Sequence, residues 1–166
     1  MGVKVSSPPY RSGQSCQVVN VTTGQFADCD TVIPWDDTEP TVTEGDEVMA
    51  LSITPKYANS KIKVDVVVQY GIQNNNNECM ATLIELAIDN SWAIACGFGG
   101  NANYMGRGSI TFTKIIDMTV YPPSGGTYNF KVRLGAKAGG VGFNGANTRI
   151  AGGRATSGIT ITEIKV

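Results

Sequence analysis

The stretch from residue 48 to residue 70 constrains the fold of this chain most. Ile62, Val64, Val66, Val68 and Tyr70 alternate with Lys61, Lys63, Asp65, Val67 and Gln69. That period of two is what a half-buried β-strand needs. Met49, Leu51 and Ile53 alternate likewise with Val48, Ala50 and Ser52, and the corner from Thr54-Pro55 to Asn59-Ser60 joins the two runs. Further strands are expected over residues 16–22, 26–33, 80–88, 92–98, 109–120, 128–134 and 159–166. No segment sustains a 3.6-residue apolar period. The expected fold class is therefore all-β: an antiparallel β-sandwich or jelly roll of about eight strands with an extended N-terminal arm. In the last strand Ile159 and Ile161 share a face, but Ile164 and Val166 shift parity, which predicts a bulge near Thr162.

Residues 1–30 are expected to form the arm and docking segment, with Val3, Val5, Pro8, Pro9 and Tyr10 as its contact residues, and residues 31–166 the jelly-roll domain. The start of the chain is polar and proline-bearing and does not read as a signal peptide. No apolar run approaches the roughly 20 residues of a membrane span, so no membrane insertion is expected.

Charged residues make up 16% of the chain, against about 25% in a typical domain. Such depletion suits a large subunit interface. The second face of the 80–98 hairpin is also apolar (Leu83, Ala87, Trp92, Ile94, Cys96), which points to a sheet covered by another subunit. The net charge of −1 argues against nucleic acid as a partner. Charge is nevertheless segregated. Residues 28–47 hold eight acids and no base, and residues 131–158 hold five bases and no acid. The two segments either meet, within or between subunits, or form separate solvated surfaces.

The chemistry expected of the chain is sparse. There is no histidine, hence no usual general base and no usual metal ligand. A two-residue turn at Asp89-Asn90 would pair residues whose numbers sum to 179, setting Cys96 opposite Leu83. That disfavours a bridge from Cys79 to Cys96, while Cys16 and Cys29 stay open. Gly140, Gly142 and Gly145 match the spacing of a dinucleotide loop, but no helix can follow them, so the match is accidental. Asp28, Asp30, Asp36 and Asp37 do not have the spacing of an EF-hand calcium loop. Carboxylates sit singly on separate strands, so an enzyme is not expected, and neither is a cofactor. Asn74, Asn75, Asn76, Asn77, Asn101, Asn103, Tyr104 and Arg107 form the candidate ligand site: amides and an aromatic platform suit the hydroxyls and C–H faces of a sugar.

The set Ile33-Pro34-x-Asp36-x-Thr38-x-Pro40, Leu51-Ser52-Ile53-Thr54-Pro55 and Ala58-Asn59-Ser60-Lys61-Ile62-Lys63-Val64, followed by Tyr128, Asn144-Gly145 and Ser157 to Ile164, resembles the jelly-roll domains of phage virion appendages. These share the C1q/tumour-necrosis-factor-like shape class. The resemblance covers residues 30–166. It implies a homotrimer in a virion assembled in the host cytoplasm, with Leu83, Trp92, Ile94 and Phe143 as candidate interface residues. It also implies other virion proteins as partners of the arm, and a host-surface glycan as partner of the loops of a tail-fibre tip. A trimer that decorates and cements the capsid is the alternative, and a glycan-active enzyme a more distant one.

Overall fold

The computed structural model describes residues 12–73, 78–85, 93–99, 106–123, 126–138 and 140–166. Within them lie β1 (Ser15–Thr23), β2 (Ala27–Cys29), β3 (Asp46–Ile53), β4 (Lys61–Ile72), β5 (Cys79–Glu85), β6 (Ala95–Gly99), β7 (Arg107–Asp117), β8 (Tyr128–Ala136), β9 (Val141–Phe143) and β10 (Ser157–Ile164). The pairing is nested and antiparallel: β1 with β10, β3 with β8, β4 with β7, β5 with β6. A long hairpin rolled across two layers gives this pattern, which is the jelly roll. β2 and β9 extend the lines of β1 and β10 and join the far end of β4. Ten strands thus fill eight positions. The first sheet runs β1/β2, β10/β9, β4, β7, and the second runs β3, β8, β5, β6.

The alternation in β4 has the expected result. Ile62, Val64, Val66 and Val68 are fully buried in one core cluster with Leu83, Phe130, Val132, Ile159 and Ile161. Each such side chain stabilises the sandwich by about 1.5–3 kcal/mol.

Three expectations change. First, the arm is shorter than residues 1–30. β1 pairs along its length with β10, and β2 pairs with β9, so residues 15–29 belong to the sandwich. Second, β10 carries no bulge at Thr162. Its pairing with β4 runs unbroken from Gly158 to Ile164, and the irregularity lies in β1, between Ser15 and Gln17. The parity breaks in sequence because Glu163 points inward. Its fully buried carboxylate accepts from the backbone N–H of Lys56 (3.0 Å) and Tyr57 (2.9 Å) and from Ser60 Oγ (2.8 Å). That network holds the 54–60 corner, and a buried charge is tolerated only when bonded this way. Third, β5 and β6 pair with a sum of 178: Leu83 faces Ala95 and Thr82 faces Cys96. A two-residue turn at Asp89-Asn90 cannot give an even sum. All four cysteines are free thiols.

Close backbone approach requires glycine at two positions of the glycine-rich segment. A Cβ on Gly142 would lie 2.0 Å from the Gly145 carbonyl oxygen, and one on Gly145 would lie 1.8 Å from that of Thr148. β9 and a 3-10 turn at Ile150–Gly153 occupy this segment. Asn144, at φ 57°, is fully buried. Its amide donates to the carbonyls of Thr23 (3.0 Å) and Gln25 (2.8 Å), and its oxygen accepts from Ser157 Oγ (2.6 Å).

Candidate functional site

The acidic segment between β2 and β3 leaves the sandwich and returns to the place it left. Thr31 donates its N–H (2.9 Å) and hydroxyl (2.8 Å) to the Asp46 carboxylate, and Gly45 N–H donates to Val32 O at 3.2 Å. Ends this close define an Ω-loop. The loop lies on the outer face of the second sheet. Arg133 of β8 donates Nε to Glu44 O (2.8 Å) and a terminal nitrogen to Gly45 O (2.6 Å), and Ala93 N–H donates to Pro40 O at 2.9 Å. Lys131 pairs with Glu47 at 2.7 Å. The acidic and basic segments of the sequence therefore meet within one chain.

This loop covers part of the outer face of β5, a strand buried along its whole length. Met80, Cys96 and Phe98 face outward, and with Pro34, Trp35, Asp36, Thr38, Glu39 and Pro40 they line a cavity of about 340 Å³. The cover over that part of the sheet is the chain's own loop. Trp35 stands edge-on to Phe98, with ring centroids 5.3 Å apart, and the Lys137 ammonium lies 6.0 Å from the Trp35 ring. Phe98 remains 61% exposed, and the Trp35 indole N–H is buried without a hydrogen-bond partner among the described residues. Asp36 accepts the Thr38 N–H and hydroxyl on Oδ1, and these bonds hold its carboxyl below the usual carboxylate range.

The strand directions divide the molecule into two ends. Gly13 N–H donates to Lys165 O (2.7 Å) and Lys165 N–H to Gln14 O (3.0 Å). The N-terminal segment therefore joins at the end shared by Ile164, Lys61 and Asp117. At the opposite end are Gln73, Glu78, Gly99, Gly106 and Arg107, which flank the 74–77 and 100–105 connections, with Ile72 N–H bonded to Gly106 O at 2.7 Å. Trp35, Phe98, Lys137 and Glu78 belong to this second end, and Lys137 lies 3.7 Å from Glu78.

Of the expected ligand residues, Arg107 begins β7 and is exposed. Asn74, Asn75, Asn76, Asn77, Asn101, Asn103 and Tyr104 lie outside the described residues, as do Trp92 and the arm residues Val3, Val5, Pro8, Pro9 and Tyr10. Leu83 and Phe143 cannot serve as exposed interface residues, because both are buried in the sandwich of a single chain. Ile94 packs partly against that core. Sequence reasoning missed Phe98. Its signal is the run Cys96-Gly97-Phe98-Gly99, in which the inward positions are glycines. A Cβ on Gly97 would come within 2.3 Å of Ile110, and one on Gly99 within 2.4 Å of the Cys79 sulfur. Among the described residues, no three His, Cys, Asp or Glu side chains converge as a metal would need.

No family model and no curated protein matches this sequence. Among solved structures the chain is similar to Eiger TNF from S. frugiperda, at 9% identity and TM-score 0.45, covering 89% of this chain and 92% of that one. It is similar also to a chain of infectious bursal disease virus, Gx strain, at 10% identity and TM-score 0.49, covering 99% of this chain and 37% of that one. A third is the infectious bursal disease virus VP2 subviral particle, at 8% identity and TM-score 0.46, covering 100% and 42%. The chain thus spans less than half the length of these two viral chains. The assignment to the jelly roll rests on the nested strand pairing itself.

Proposed function

We propose that this chain is a non-enzymatic structural protein of a virion: a homotrimeric jelly-roll knob of a tail fibre or appendage, docked through its N-terminal segment, whose loop end recognises a host-surface glycan. The observation that carries this reading is the division of the sandwich into two ends. The segment suited to docking joins beside Lys165. Arg107, the strand ends that flank residues 74–77 and 100–105, and the Trp35–Phe98 pair lie at the other end. An exposed aromatic ring beside carboxylates and amides suits a sugar, whose C–H face stacks while its hydroxyls donate.

Competition for adsorption tests the reading. Purified protein at saturation should block attachment of the parent virus to its host, and sedimentation should give the mass of a trimer. Full adsorption in its presence would remove the receptor-binding role. Stoichiometric binding to empty capsids instead would favour a trimer that decorates and cements the head.

A further inference from the structure

The cavity under the Ω-loop has more specific chemistry than a general sugar platform. Its floor is aromatic and apolar, from Phe98, Trp35 and Met80, and its rim carries two carboxylates, Asp36 and Glu39. Among the described residues neither acid forms an ion pair, although Lys114 lines a neighbouring cavity together with Glu39. The ion pairs of the described residues are Lys63–Asp65, Lys131–Glu47 and Lys137–Glu78. Among the described residues Asp36 engages Thr38, through Oδ1. Glu39 makes no hydrogen bond among the described residues, and its charge is felt at Cys96, whose thiol it helps push up after burial. The Trp35 ring already has an ammonium, that of Lys137, near its face, whereas Phe98 is largely open.

We infer that this cavity binds an organic cation, a quaternary ammonium or a protonated amine carried on a small ligand or a glycan. The cationic head lies against the Phe98 ring, and Asp36 and Glu39 supply the counter-charge. Three features favour this class. Aromatic rings attract a desolvated cation through their quadrupole. Two unpaired carboxylates on one rim make the site electronegative. The volume, about 340 Å³, lies at the lower end of small-ligand sites. The inference deepens the recognition reading above, since a host glycan bearing such a group would be held here, but choline binding itself is measured on the purified protein without a host.

Choline is titrated into the intact protein and followed by tryptophan fluorescence. Its neutral isostere 3,3-dimethylbutanol serves as control, and the Trp92→Phe variant assigns the signal to Trp35. Choline should bind saturably and weaken as salt rises. Phe98→Ala should abolish the signal, and Glu39→Gln should weaken binding by about fivefold. Phe98→Leu, which keeps the apolar contact, separates loss of the ring from loss of folding, and it too should lose choline. Equal binding of the neutral isostere, or choline binding unchanged in both Glu39→Gln and Asp36→Asn, would overturn the inference. So would no choline binding by a protein that still blocks adsorption, and that result would leave the recognition reading intact. Choline binding without any effect on adsorption would overturn the recognition reading alone.

Discussion

The outer faces of the two sheets differ in the way they meet solvent. On the first sheet Val18, Lys63, Asp65, Thr113 and Ile115 stand on an open surface, and its one described ion pair, Lys63–Asp65 at 2.9 Å, is partly exposed. On the second sheet the Ω-loop covers part of the face. It is clipped by Thr31 to Asp46 and by Arg133 to two carbonyls. An apolar outward residue on the open face is a surface residue, whereas on the covered face it is packed. The same strand pattern therefore has two meanings, decided by what the chain lays over it.

The largest expected difference is at Trp35. Trp35→Ala removes its edge contact with Phe98 and part of the loop's apolar seat, and should cost about 3 kcal/mol and lower Tm by roughly 10 °C. Ile115→Ala on the open face, where Ile115 is 56% exposed, should cost less than about 0.5 kcal/mol. Equal losses in thermal melts would break the comparison. Next comes Arg133→Met, which leaves the carbonyls of Glu44 and Gly45 without their donor. We expect a loss of about 2 kcal/mol by denaturant titration. Lys63→Met, which breaks an exposed pair, should cost no more than about 0.5 kcal/mol.

Thiol labelling separates the core cysteines from the one under the loop. Burial pushes Cys79 up to about 12, and burial together with the nearby Asp46 charge does the same to Cys29. Both should resist a disulfide reagent at pH 8 in the folded protein, because the thiolate is the reactive form. Cys96 lies under the loop and is raised by burial first and by Glu39 second. Replacing residues 34–40 by a glycine-serine linker should speed labelling of Cys96 and leave Cys29 and Cys79 protected.

The smallest effect is in acid. Hydrogen bonds from Thr38 hold Asp36 below its ordinary value. For Asp65 burial opposes the shift, but the Thr113 hydroxyl and Lys63 outweigh it. Both carboxyls have depressed folded-state values, so their stabilisation is complete above the ordinary carboxylate pKa of about 4 and fades as pH falls through the depressed value. Melts between pH 2 and pH 6 (roughly the span of carboxylate titration) should show a shallower acid slope for Asp65→Asn than for the parent protein.

The sequence made the sandwich legible because β4, β3 and β8 obey strict alternation, and alternation depends only on which face meets the core. It failed at Glu163, where a carboxylate takes an inward position and donors distant in sequence satisfy it. It failed again over residues 32–45, where the closing contacts join Thr31 to Asp46 and Arg133 to Glu44. No local pattern encodes such a return. Phe98 was readable only with the correct hairpin register, and a sum wrong by one places its neighbour Cys96 opposite Leu83 instead of Thr82. The candidate loops were legible as polar and asparagine-rich. The strand ends that flank them, in β4, β6 and β7, lie at one end of the sandwich.

Recognition at the loop end, on the Trp35–Phe98 shelf and its neighbours, is the proposal on which the rest depends. Binding of the purified protein to an array of immobilised host-surface polysaccharides decides it, comparing Phe98→Ala at that end with Tyr57→Ala at the other. Saturable binding is expected, abolished by Phe98→Ala and unchanged in Tyr57→Ala. Binding to no polysaccharide, or loss of binding in Tyr57→Ala with Phe98→Ala unaffected, would contradict it.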